Sequence, residues 1–143
     1  MKIFEAIRRD HDKQRALIKL LLDTNGESNV RADFFQQLKD ELESHAIAEE
    51  RHFYSPLMES DNTIGMSRHG IAEHHQMDKL IEKLDNTPMD APDWLNVMKE
   101  LADKVEHHLA EEEEEFFQQA GKVLSETEKE ELAQNYTEEM KAS

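Results

Sequence analysis

His45 and Glu49 stand four residues apart in LKDELESHAIAEERHFYSPL, and His108 and Glu112 repeat that spacing in HHLAEEEEEFF. On a helix such a pair shares one face. Leu38, Leu42, His45, Glu49 and His52 recur at spacings of four and three, which is the seam of a helical bundle. Ionisable side chains therefore occupy positions where leucine belongs. Burying them unpartnered costs about 2–7 kcal/mol even for a neutral polar group. A metal ion is a partner that suits imidazole and carboxylate together.

Helix phase selects among the eight histidines of the chain. His11 follows the seam of Phe4, Ile7, Ile18 and Leu21, on which Gln14 is the polar exception. His74 shares a seam with Gly70, Met77, Ile81 and Leu84, whereas His75 does not. His107 and His108 point about 100° apart. His108 is the one in phase with Trp94, Met98, Leu101 and Val105, and Glu112 and Glu115 continue that seam. Glu111, Glu113 and Glu114 read as a solvated face. One core histidine is ordinarily just a hydrogen-bonded residue. Four on four seams, with two His-x-x-x-Glu pairs, point to a metal. The set holds too much nitrogen for Mg²⁺ or Ca²⁺ and no sulfur for a structural zinc site. It suits iron, manganese or zinc. Two carboxylates between two pairs of histidines can bridge two cations, so a dinuclear site is the economical expectation, with water or a small molecule in the open positions.

Four helices must carry these side chains. The pattern predicts helix A over about 3–23, ended by Asn25-Gly26, and a connection from Glu27 to Val30 with Ser28 or Asn29 as cap. Helix B covers about 31–54, with Pro56 at its frayed end, and residues 59–63 form a loop. Helix C covers about 66–85. Asp90 is the candidate cap and Pro92 the first turn of helix D, which runs to about Gln119 and stops at Gly121. Ser125 to Glu128 read as a capping box opening a short helix E, to about Lys141, packed on the outside. The expected fold is all-α, an up-down-up-down four-helix bundle over about 3–119 with a C-terminal fifth helix over about 125–141. Residues 1–143 read as a single domain without linker or close internal repeat.

The bulk composition narrows the function classes. Four glycines, three prolines and 6 % aromatics fit long helices with few turns. There is no cysteine, hence no disulfide framework and no thiolate chemistry. The N-terminus has no apolar signal core, and no apolar run approaches the roughly 20 residues of a membrane span. A cytoplasmic protein is expected. The net charge of −16 disfavours nucleic acid and anionic membranes, which need clustered Lys and Arg.

The segments RDHDKQRALI, HAIAEERHFYSPL, EHHQMDKLIEKL and HHLAEEEEEFF together resemble the hemerythrin family, specifically the bacterial HHE cation-binding domains. The ordered set His, His-x-x-x-Glu, His, His-x-x-x-Glu carries the resemblance. It implies a four-helix bundle holding a non-haem di-iron centre that binds O₂ and, in some members, NO or peroxide. It also implies His11, His45, Glu49, His74, His108 and Glu112 as ligands. Glu49 and Glu112 would bridge, His11 and His45 would complete one metal, and His74 and His108 the other. The family's third helix carries His-x-x-x-His, and the first of that pair falls here at Gly70. His69 replaces it only if the start of that helix is irregular. Otherwise the second metal has more open coordination, which favours reactivity over reversible O₂ carriage.

Seam register adds His52 and Glu115, one turn past Glu49 and Glu112, with His69 near the same level. They are expected as further ligands, or as a polar layer or proton relay below the metals. The function expected first is binding of O₂, NO or peroxide for sensing, storage or stress response. The alternative is a di-iron enzyme of peroxidase, catalase-like or oxidase type, or an iron-handling protein. A ferritin-like oxidase needs Glu-x-x-His on two helices, and only Glu49 and His52 offer it among inward residues. A metal-free interaction module would leave six buried ionisable residues unexplained.

Overall fold

The computed structural model describes residues 1–26 and 28–143. Glu27, placed in the first connection by the sequence pattern, lies outside the described residues. Among these the regular structure is all helical, in five rods joined by short turns. They are α1 (Ile3–Leu22), α2 (Asn29–Glu49), α3 (Ile64–Asp85), α4 (Pro92–Glu111) and α5 (Glu126–Ala142). Two rods continue past these limits. α2 runs through a π-helical turn, Glu50–Tyr54, into a last turn, Ser55–Leu57. α4 does the same through Glu112–Phe116 into Phe117–Val123.

Local chemistry sets most of the ends. The Ser28 hydroxyl accepts from the Arg31 N–H at 3.1 Å and opens α2. Ser125 and Glu128 exchange hydrogen bonds as a capping box and open α5. Pro92 begins α4, where its missing N–H costs nothing, but Ala91 rather than Asp90 holds the cap position, without a side-chain bond. Gly26 does take a positive φ of 54°, yet it lies beyond the end of α1 and turns the loop instead. Gly121 does not end α4, whose last turn passes through it to Val123.

The four long rods form the bundle, and α5 packs on the outside across α1 and α2. Two apolar clusters fill the interior. One gathers Leu17, Leu21, Leu38, Leu42, Met77, Trp94, Leu101 and Val105. The other gathers Ile3, Ile7, Phe53, Tyr54, Leu57, Phe116, Phe117 and Tyr136. Each fully buried large apolar side chain contributes about 1.5–3 kcal/mol. His11, His45, Glu49, His74, His108 and Glu112 are buried, and in sequence they fall between residues of the two clusters on every rod. Two apolar blocks thus hold one polar layer.

Candidate metal centre

The six residues named from helix phase converge. His11, His45, Glu49 and Glu112 form one group of approaching ligand atoms, and Glu49, His74 and His108 form a second. Glu49 belongs to both. His74 Nε2 lies 3.0 Å from Glu49 Oε1, and His45 Nε2 lies 3.4 Å from Glu49 Oε2. His11 Nε2 is 3.0 Å from Glu112 Oε1, and His108 Nε2 is 3.6 Å from the same oxygen.

None of these contacts is a formed hydrogen bond. Nε2 of His11, His45, His74 and His108, both Glu49 oxygens and Glu112 Oε1 are all buried without a partner. Unsatisfied buried polar atoms are rare, because each costs about 1–3 kcal/mol. Seven in one layer mark a place built for something other than the chain itself. Their chemistry fits divalent cations, which take imidazole nitrogen and carboxylate oxygen together.

The outward nitrogen of every ring is held. His11 Nδ1 donates to Glu113 at 2.6 Å, His74 Nδ1 to Glu50 at 2.8 Å and His108 Nδ1 to Glu73 at 2.8 Å. His45 Nδ1 donates to the Tyr136 hydroxyl, which in turn donates to Asp10. A carboxylate on Nδ1–H fixes the tautomer and leaves the Nε2 lone pair inward, the usual support of a metal-binding histidine. Arg15 donates to both oxygens of Glu113, at 2.9 and 3.1 Å, and holds it in place.

The electrostatics follow from crowding carboxylates and imidazoles in a dry layer. Burial alone would depress His45, but Glu49 and Asp10 outweigh it and hold it up at about 10. Burial likewise works against His11, His74 and His108, and their carboxylate partners still raise all three. Burial would raise Glu49, yet His45, His108 and His74 keep it well below the usual carboxylate range. His11, aided by Arg15 and opposed by burial, holds Glu113 at about 2. Without a cation, protons on the rings balance the carboxylates.

Helix phase alone does not reveal the supporting residues. It places Glu113 on a solvated face, but Glu113 reaches His11 and Arg15. Glu111 is also mostly buried. A signal is present in the chain. Residues 45–54 read His-x-x-x-Glu-Glu-x-x-Phe-Tyr and residues 108–117 read His-x-x-x-Glu-Glu-x-x-Phe-Phe. This local repeat corrects the expectation of none. In each copy the second glutamate supports a histidine of another helix, Glu50 for His74 and Glu113 for His11.

The expected layer of His52, Glu115 and His69 does not form. A π turn comes after each His-x-x-x-Glu pair and inserts one residue, which rotates the remainder of the helix by about 100°. The seam passes to Phe53 and Phe116, which are buried, while Glu115 faces solvent. His52 turns to Glu139 on α5, at 2.7 Å. His69 remains off phase because α3 is regular from Ile64, and its side chain is 53 % exposed. It lies beside Glu73 and Glu111 and outside the two groups of the centre.

Gly70 is accounted for by Tyr54. A Cβ at position 70 would overlap the Tyr54 ring. The Tyr54 hydroxyl donates to Glu112 Oε2. Burial, with Glu112 and Glu49 next, pushes the phenol well above its usual range, so it stays protonated. Where the resemblance expects a helix C histidine, the chain places a phenol from helix α2.

Comparison with known proteins gives the family and the fold. A protein of Nostoc sp. (strain PCC 7120 / SAG 25.82 / UTEX 2576) named DNA nickase is 29 % identical over 136 residues, covering 95 % of this chain. This chain spans 38 % of that relative's length. The crystal structure of a hemerythrin HHE cation-binding domain-containing protein from Mycobacterium kansasii has the same fold. It superposes with a TM-score of 0.88 at 23 % identity, over 99 % of this chain and 86 % of that one. Residues 2–120 match the hemerythrin HHE cation binding domain, and the chain belongs to that family.

Proposed function

We propose that this chain holds two metal ions, iron by family resemblance, and binds O₂ or a related small molecule such as NO or peroxide for sensing, storage or stress response in the cytoplasm. The observation that carries the reading is the set of seven buried, partnerless nitrogen and oxygen atoms, backed by four outward-bonded rings. Glu49 and Glu112 would bridge the two ions, His11 and His45 would complete one, and His74 and His108 the other. When bound, an iron pair supplies electrons to a small oxygen or nitrogen species. The chain orients the rings, excludes bulk water and keeps the Tyr54 O–H pointed at Glu112.

A small ligand is favoured by the space beside the rings. A cavity of about 10 Å³ is lined by Gln14, Leu42, His45, His74, Met77, Ile81 and His108. That is about the room one water molecule needs. Gln14 Nε2 is buried there without a partner. It is the donor on the seam that a bound oxygen species would meet.

Tyr54 favours a second reading, an enzyme of peroxidase, catalase-like or oxidase type or an iron-handling protein. Its hydroxyl donates a hydrogen bond to Glu112 and its ring lies beside His74, where the family has a further imidazole. Optical spectra with and without O₂, alongside peroxide turnover, separate the two. A band that comes and goes with O₂ supports carriage or sensing. No response to O₂, with peroxide turnover that falls in Tyr54→Phe, assigns the enzyme. DNA cleavage is not carried over from the name of the Nostoc relative. The shared segment is a minor part of that protein, and a charge of −16 repels phosphates.

A further inference from the structure

We propose that His69, Glu73 and Glu111, with His107 beside them, form a separate peripheral site for one first-row divalent cation. His69 Nε2 lies 3.0 Å from Glu111 Oε1 and 3.5 Å from Glu73 Oε1. His107 Nε2 lies 3.8 Å from Glu111 Oε2 and 3.9 Å from Glu73 Oε2. One ligand atom each from His69, Glu73 and Glu111 falls within 4.8 Å of the other two.

Glu111 Oε1 is buried and makes no hydrogen bond, although the His69 ring nitrogen is within reach. His69 Nε2 and Glu111 Oε1 thus lie close without a formed hydrogen bond, as ring nitrogens and carboxylate oxygens do in the buried centre. The His69 ring stands nearly perpendicular to Phe116, with centroids 6.2 Å apart. Lys104 bonds Glu73 Oε2 at 3.1 Å, while among the described residues no ammonium or guanidinium pairs with Glu111. Glu73 Oε1 accepts from His108 Nδ1, and a carboxylate oxygen keeps a second lone pair for a cation. The half-exposed His69 and His107 open the site to solvent. Imidazole with carboxylate selects first-row divalent ions over Mg²⁺ or Ca²⁺. Through Glu73, an ion here touches the hydrogen bond that orients His108.

The site goes beyond the dinuclear centre, and its test does not depend on that centre being filled. The full chain, as purified, is dialysed against Zn²⁺ and the ions per chain are counted for wild type, His69→Ala, Glu111→Gln and His75→Ala. His75 is exposed and outside the cluster, so it controls for incidental surface binding. Wild type and His75→Ala are expected to hold one ion more than His69→Ala and Glu111→Gln. The ring signals of His69 and His107 are expected to shift in NMR spectra as that ion binds. Equal ion counts in wild type and His69→Ala, or loss of the ion only in His75→Ala, overturn the proposal.

Discussion

At the scale of single residues, the strongest demands fall on Glu49 and Gly70. Both oxygens of Glu49 are buried and face rings from two groups, so Glu49 is the residue shared by both. Glu49→Ala is expected to lose bound metal and to leave the His45 and His74 rings without their main counter-charge. Metal analysis of the variant that matches wild type would remove Glu49 as a bridge. Gly70 answers to space rather than charge. Gly70→Ala drives a methyl into the Tyr54 ring and should destabilise the bundle by about 1–3 kcal/mol, as overpacking does. Denaturant unfolding of Gly70→Ala alone and combined with Tyr54→Leu checks this. The loss should shrink in the double variant, and an unchanged loss would show that the ring is not the obstacle.

At the scale of elements, periodicity makes the four inward histidines, both His-x-x-x-Glu pairs and the helix order legible. His74 over His75 and His108 over His107 follow from phase alone. Phase fails where the helix changes its own period. Each π turn carries one extra residue, so His52 and Glu115 leave the seam while Phe53 and Phe116 join it. Hydrogen bonding of i to i+5 leaves no mark in an amphipathic pattern until the slip is known. The supports of the rings escape for another reason: Glu50, Glu73 and Glu113 flank the seam and reach a neighbouring helix, which single-helix phase does not address. The fifth helix is legible from its capping box, but not the reach of Tyr136 to His45. That contact gives α5 a role in the centre. Tyr136→Phe keeps the packing and removes the acceptor for His45 Nδ1. Loss of such a support typically weakens metal binding about 10–100-fold. Chelator competition measures it, and affinity equal to wild type would make α5 a cover only.

At the scale of the whole molecule, two apolar clusters stabilise a layer that is electrostatically balanced only with protons or cations in it. In chelator-treated protein the raised histidines contribute stability below their ordinary value of 6.5, and it is lost as pH rises through their folded values, to about 10 for His45. Glu73 and Glu113, held at about 2, contribute stability above 4.5 that is lost only as pH falls towards 2. The melting temperature of the chelated chain should therefore fall from pH 6.5 to pH 9. Metal-loaded protein should hold its melting temperature over that range and release metal on acidification, because protons compete for the same nitrogens. Identical pH profiles with and without metal would contradict this balance. Whether the layer is a dinuclear centre is decided by the metal content of the buried site in protein purified from its native host. His69→Ala, which lacks the peripheral site, isolates that count. Two ions per chain, mainly iron, are predicted in that variant. One ion or none would contradict a dinuclear centre.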